Sequence, residues 1–275
     1  MSSLGSIKSF HALQQQWKRK VVVVVMGATG TGKSKLAIEL AQRFDGEVIN
    51  CDKIQVHKGM DIVTNKVSED ESMGIPHHLL SFVDPLRDFP PQDFVMHGTP
   101  IIHRLITNGK LPIVAGGSTS FIQALLKESK ANYEFYGIWI DVSLPVLYPI
   151  LSARVDEMVS RGAVEEVREF YDTYGDATSG VAQAIGVPEL RKYFKSEATL
   201  RECMDEMKIN TWMLSGRQRQ KITALSEDLG GLTERVDATR FATERSPNAW
   251  KVSVLDPSIE IVNKFLMNEV RQGPA

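Results

Sequence analysis

Val21-Val-Val-Val-Val-Met-Gly-Ala-Thr-Gly-Thr-Gly-Lys-Ser34 carries an unbroken apolar run straight into Gly27-x-x-x-x-Gly32-Lys33-Ser34. Five consecutive valines read as a strand buried on both faces, as a parallel sheet requires. Gly27, Gly30 and Gly32 permit a tight turn in which successive N–H groups, with Ala28, Thr29 and Thr31 between them, point inward at an anion. The amphipathic segment 33–43, KSKLAIELAQR, predicts a helix whose N-terminus adds partial positive charge. Lys33 reaches a terminal or leaving phosphate, and the Ser34 hydroxyl is placed to ligate a Mg²⁺ ion that the same phosphates share. The stretch is therefore read as a phosphate-cradling P-loop.

Working outward, Glu47-Val-Ile-Asn50 predicts a second short strand whose carboxyl end runs into Cys51-Asp52. In an open α/β sheet the ligand crevice lies outside the carboxyl ends of the strands, so Asp52 is expected beside the P-loop as a candidate general base. An Asp after a strand also serves as a turn or cap residue. Further strands are predicted at about 111–115 and 135–141, alternating with helices. The fold class is α/β, a P-loop-type parallel sheet wrapped by helices. From about 142 to 225 the pattern becomes a run of helices, at 144–160, 163–171 and 200–224, with Gly-rich turns at 175–187. It is read as a helical subdomain forming one wall of the crevice, residues 1–20 as a flexible tail, and 21–275 as the P-loop domain.

The chain has 275 residues and 43% hydrophobic content, enough for a full core, and no run of 18 apolar residues. No membrane partner is expected. Net charge is −2, and residues 1–38 hold six Lys or Arg and no acid, so the remainder is distinctly acidic. A protein gripping a polynucleotide through its phosphates is expected to be basic, and none is expected as a stable partner. Two cysteines, Cys51 and Cys203, exclude a four-ligand cysteine zinc site and read as reduced buried thiols. His77 and His78 lack a carboxylate cluster and read as polar loop contacts, and Glu165, Glu166 and Glu169 as a solvated helix face. Arg217 and Lys221 lie four apart on the long helix, offering either paired cations to a diphosphate or a solvated face.

Beyond the loop, the chain resembles the isopentenyltransferases, which move a dimethylallyl group from its diphosphate to the N6 amine of adenine. The resemblance rests on the P-loop with Thr29, on Asp52-x-x-Gln55, and on Gly59 to Lys66 as G-x-D-I-x-T-N-K. Downstream it rests on Ile75-Pro-His-His-Leu-Leu80, Leu111 to Gly117, Ala184-Ile-Gly-Val-Pro-Glu-Leu190, Arg217-Gln218 and Arg235-Val-Asp-Ala-Thr239. Gly116-Gly-Ser-Thr-Ser-Phe-Ile122 is similar to the plant adenylate branch, which begins cytokinin synthesis, rather than to the tRNA branch. Thr119 stands where that branch has Asn. His57 replaces a usual tyrosine, the loop between Lys127 and Tyr133 is short, and Val181-Ala-Gln183 replaces a more basic stretch, expected to lower positive charge near the entrance.

The resemblance implies that Gly27 to Ser34 and Arg217 bind the prenyl diphosphate, with Mg²⁺ at Ser34, and that Thr29 and Lys33 assist departure of the diphosphate. It implies Asp52 as base, with Gln55, Thr64, Asn65 and Lys66 around an adenine nucleotide, ATP or ADP before AMP; Lys208 and Lys221, cations of the long helix, are further candidates to bind that nucleotide. Arg154 matches a family arginine. A monomer in plastid or cytoplasm is expected, the acid-free N-terminus resembling the end of a transit peptide. Alternatives are a small-molecule kinase, which also pairs a P-loop with an Asp after the second strand, tRNA prenylation, and a catalytically dead nucleotide-binding module.

Overall fold

The computed structural model describes residues 20–228 and 232–271; the expected tail, apart from Lys20, lies outside the described residues. Six strands form one sheet: β1 (Val21–Met26), β2 (Gly46–Asn50), β3 (His77–His78), β4 (Leu111–Gly116), β5 (Glu134–Asp141) and β6 (Thr233–Asp237). Their order is β3-β2-β4-β1-β5-β6, with every pairing parallel. The valines of β1 therefore sit at the centre. Val23 is paired with Ile113 on one side and Tyr136 on the other, and the strand is buried throughout.

Side-chain alternation divides the core in two. Val21, Val23 and Val25 face Leu36, Leu40 and Phe44 of the helix that follows the glycine turn, α1 (Lys33–Phe44). Val22, Val24 and Met26 face Phe94 and Ile102 of α3 (Pro91–Thr107) and Phe121, Ile122 and Leu125 of α4 (Thr119–Ser129). Between β2 and β3 lies the single-turn α2 (Glu69–Ser72), closed by a capping box between Ser68 and Glu71.

After β5 come α5 (Leu144–Ser160), α6 (Ala163–Tyr174), α7 (Val187–Phe194) and α8 (Leu200–Asp228). They enclose a third apolar cluster of Val155, Val167, Phe170, Leu190, Cys203 and Met207, into which Met60 and Val63 of the β2–β3 loop insert. α8 has 29 residues and spans about 43 Å at 1.5 Å per residue. The chain closes with α9 (Thr239–Glu244), α10 (Pro247–Trp250), a π turn over Lys251–Leu255, and α11 (Asp256–Arg271) against the α1 face.

The expected strands and the three helices at 144–160, 163–171 and 200–224 are present, the last two running three and four residues further. β3, β6 and α7 were not anticipated. His77 and His78 are not loop contacts: they pair with Val48 and Ile49 as the edge strand, and His78 Nε2 meets Glu47 at 2.6 Å. Of the Val181-Ala-Gln183 departure, Val181 and Ala182 are buried in the third cluster and fill core, while Gln183 is exposed next to Ala184 and Ile185 of the cleft lining. Both cysteines are free and buried. Among the described residues no helix is long and apolar enough to cross a membrane.

Gly116 ends β4 where the chain passes the backbone of Cys51 at the end of β2, and an added Cβ would overlap the Cys51 carbonyl. Gly116→Ala is expected to cost about 1–3 kcal/mol through forced backbone displacement, read as a lowered denaturant midpoint. An unchanged midpoint would contradict this packing.

Candidate functional site

A cleft of about 360 Å³ opens over the carboxyl ends of β1, β2 and β4. The sheet order reverses at β1, with β4 and β5 on opposite sides, so the turn that follows β1 lies at the crevice such sheets offer to ligands. Gly30 and Gly32 have φ of 81° and 97°, a region that costs glycine little. The turn closes on one acceptor. The Ala28 carbonyl receives the Thr31 hydroxyl at 2.9 Å and the Lys33 ammonium at 2.8 Å. Ser34 is exposed at the head of α1 and lines the cleft.

Thr29 is gripped from two helices. Nη2 of Arg154, on α5, donates to its hydroxyl at 2.7 Å. Its amide donates to Oε1 of Gln218, on α8, at 2.8 Å. Because the Thr29 oxygen accepts from Arg154, its own hydrogen is available for a ligand oxygen.

Asp52 follows β2 and is partly buried. Oδ1 accepts from the amides of Ile54 and Gln55 at 2.8 and 3.3 Å, which is the cap reading, while Oδ2 has no bond to the described residues. Cap and cleft roles thus fall to different oxygens of one carboxylate. Burial lowers the Lys33 ammonium to about 8, against the attraction of Asp52 and with the repulsion of Arg154. Arg154 falls to about 10 through burial, against Glu157 and Asp52. One carboxylate thus faces two desolvated cations.

The lip of the cleft is the loop Gly59–Lys66, fixed from three sides. Gln55 Nε2 donates to the carbonyls of Thr64 and Asn65, both at 3.1 Å. Glu166 of α6 accepts from the amides of Ile62 and Val63 at 3.0 and 2.9 Å, so it is a loop brace and not part of a solvated face. Lys66 is buried, donating to the carbonyls of His57 and Gly59 and to Asp61. The His57 ring is buried beneath, its nitrogens at 3.0 Å from the Ile54 carbonyl and 2.8 Å from that of Arg87.

Of the expected site residues, Thr29, Gly30, Gly32, Lys33, Ser34, Asp52, Gln55, Thr64 and Asn65 come together around the cleft. Four cations do not. Lys66 is consumed inside its loop, and Lys208 pairs with Asp156 at 2.6 Å. Arg217 and Lys221 are exposed and outside the lining. α8 instead presents Met207, Thr211, Leu214 and Gln218, a stripe at helical spacing that places Gln218 inward and its neighbour Arg217 outward. The Arg217-Gln218 pair carries the signal for Gln218, whose uncharged side chain, and not that of Arg217, lies in the cleft lining.

A glycine turn at the head of α1, with a carboxylate and two cations facing one cleft, defines a P-loop phosphate-handling protein. The IPP transferase family profile matches residues 55–132 and 127–223. The chain is 43% identical, over 92% of its length and 81% of the relative's, to "Adenylate isopentenyltransferase 3, chloroplastic" of Arabidopsis thaliana. It is 44% identical to "Adenylate isopentenyltransferase 7, mitochondrial" of the same plant, over 91% and 82%. A solved eukaryotic dimethylallyltransferase acting on tRNA superposes with a TM-score of 0.81 at 27% identity, covering 90% of this chain and 80% of that one. The chain belongs to the IPP transferase family.

With Lys33 near 8, its ammonium is held below that pH and lost above it. Between pH 7 and 9 affinity for inorganic diphosphate is expected to fall about tenfold, although the ligand itself gains negative charge. Calorimetry at the two pH values checks this; equal or tighter binding at pH 9 would contradict it.

Proposed function

We propose that the protein transfers the dimethylallyl group of dimethylallyl diphosphate to the N6 amine of an adenine nucleotide, releasing diphosphate, as in the first step of cytokinin synthesis. The observation that carries this reading is Thr29 poised between Arg154 and Gln218, opposite an Asp52 with one oxygen turned from its capping bonds. Higher identity to the adenylate enzymes than to the tRNA enzyme supports a mononucleotide acceptor, as does the absence of a basic excess.

The adenine amine is a weak nucleophile, because its lone pair is delocalised into the ring. As the nitrogen attacks the first prenyl carbon, the carbon–oxygen bond breaks and its electron pair leaves on the diphosphate. The surplus N–H proton passes to Asp52 Oδ2. Growing charge on the leaving group is met by the turn amides, Lys33 and the Thr29 hydroxyl, with Arg154 behind it. Water is limited by the apolar wall of Val155, Met158, Met207 and Leu214.

Ser34 fits a Mg²⁺ site of the kind that takes one protein hydroxyl and completes its shell from phosphate oxygens and water. Among the described residues no His, Cys, Asp and Glu cluster offers a fuller cage. When bound, the ion would neutralise diphosphate oxygens. Gln55, Thr64 and Asn65 are placed to meet the nucleotide. ATP or ADP is the proposed acceptor before AMP, a monomer the working unit, and an organelle the compartment, in keeping with the chloroplastic and mitochondrial designations of the relatives.

Incubation with labelled dimethylallyl diphosphate and ATP, ADP, AMP or unmodified tRNA tests the reading. Prenylated mononucleotide is expected; label in tRNA alone, or transfer of the ATP γ-phosphate to another molecule, would overturn it. Asp52→Asn keeps the Oδ1 cap and removes the base. Its kcat is expected to fall by about 10²–10⁴ with KM little changed, and retention of more than about a tenth of wild-type kcat would leave Asp52 a capping residue only.

A further inference from the structure

Asp141 ends β5 with a side chain only 2% exposed and carries two guanidinium groups. Arg219 of α8 donates Nε at 3.0 and 3.3 Å to the two oxygens and Nη2 at 3.1 Å to Oδ2. Arg235 of β6 donates Nε and Nη2 to Oδ2 at 3.0 and 2.7 Å. Neither arginine lines the cleft. Arg219 directly follows Gln218, whose Oε1 holds the Thr29 amide, and the Gln218 amide group is wedged over Gly117, where an added Cβ would lie 2.5 Å from Nε2.

Among the described residues, the other polar ties of α8 to neighbouring elements lie earlier along the helix, beginning with Glu206, which accepts from Lys192 of α7. Lys208 holds Asp156, Asn210 holds Glu189, and Trp212 Nε1 donates to the Tyr148 carbonyl and Ser152. Beyond Gln218, Ile222 and Leu225 bury in the second core, which sets the distance of the helix from the sheet. Burial of an apolar stripe fixes only coarsely which face of the helix turns inward, and leaves the fine rotation and axial slide to bonds with fixed geometry. A bidentate guanidinium on a buried carboxylate supplies that geometry.

We propose that Arg219 is a positioning residue for the phosphate loop: anchored on Asp141, it sets the rotation of α8 so that Gln218 holds the Thr29 amide. Arg235 anchors β6 to the same carboxylate and has no part in this. The inference deepens the proposed function, resting on Gly27–Ser34 as the diphosphate loop, but it is testable without turnover.

Arg219→Met, Gln218→Met, their double variant and Arg235→Met are compared for affinity toward inorganic diphosphate with Mg²⁺, after thermal melts establish folding. Arg235 still pairs Asp141 in Arg219→Met, so the carboxylate is not orphaned. Each of the first two is expected to weaken binding roughly five- to twentyfold, the effect of one lost hydrogen bond. The double is expected to bind no worse than the weaker single, because both act through one contact. Arg235→Met is expected to stay within about twofold of wild type, and Arg219→Lys to recover part of the loss. Multiplicative losses in the double, wild-type affinity in Arg219→Met, or equal loss in Arg235→Met would overturn the proposal. A wild-type protein that binds diphosphate yet transfers no prenyl group would overturn the proposed reaction and leave these comparisons intact.

Discussion

Thr29 is held through its hydroxyl by Arg154 and through its amide by Gln218, and the site is organised around that double grip. A glycine turn alone is a flexible cradle. Here two helices remote in sequence converge on its third residue, joining the turn after the central strand to α5 and α8 in one unit. The five valines deliver the turn to the switch point of the sheet. The third apolar cluster docks the helices and, through Met60 and Val63, the loop that closes the lip.

Charge is distributed economically over this frame. Asp52 faces Lys33 and Arg154, both with proton affinities lowered chiefly by burial. An added anion would restore what desolvation removes, so the cleft is electrostatically prepared for a diphosphate. The other lysines and arginines of the expected site are spent elsewhere, on Asp156, on the interior of the Gly59–Lys66 loop, or in solvent.

The central strand and P-loop were legible because a strand signal, a glycine pattern and a helix signal occur consecutively, and Asp52 because strand-end geometry is shared by all open parallel sheets. β6, Thr-Glu-Arg-Val-Asp, was not: only Val236 is buried, and an edge strand so polar has no periodic signature. β3 is too short for one. On α8 the expectation followed charge, whereas the cleft follows a mixed stripe ending in Gln218. Lys66 was misjudged because a positive-φ turn at Asn65 aims it inward, a direction that composition does not encode. Glu166 shares its helix with exposed acids and differs from them only by the two amides it meets.

In the proposed reaction the loop Gly27–Ser34 receives the diphosphate of the prenyl donor and not the phosphates of the nucleotide. This placement is tested most directly by a crystal structure with an unreactive thiolo analogue of dimethylallyl diphosphate and ADP bound together. The expected result is the donor diphosphate in the turn beside Lys33 and Thr29, with the adenine amine within hydrogen-bond reach of Asp52. ADP phosphates in the turn, with the donor elsewhere, would contradict it.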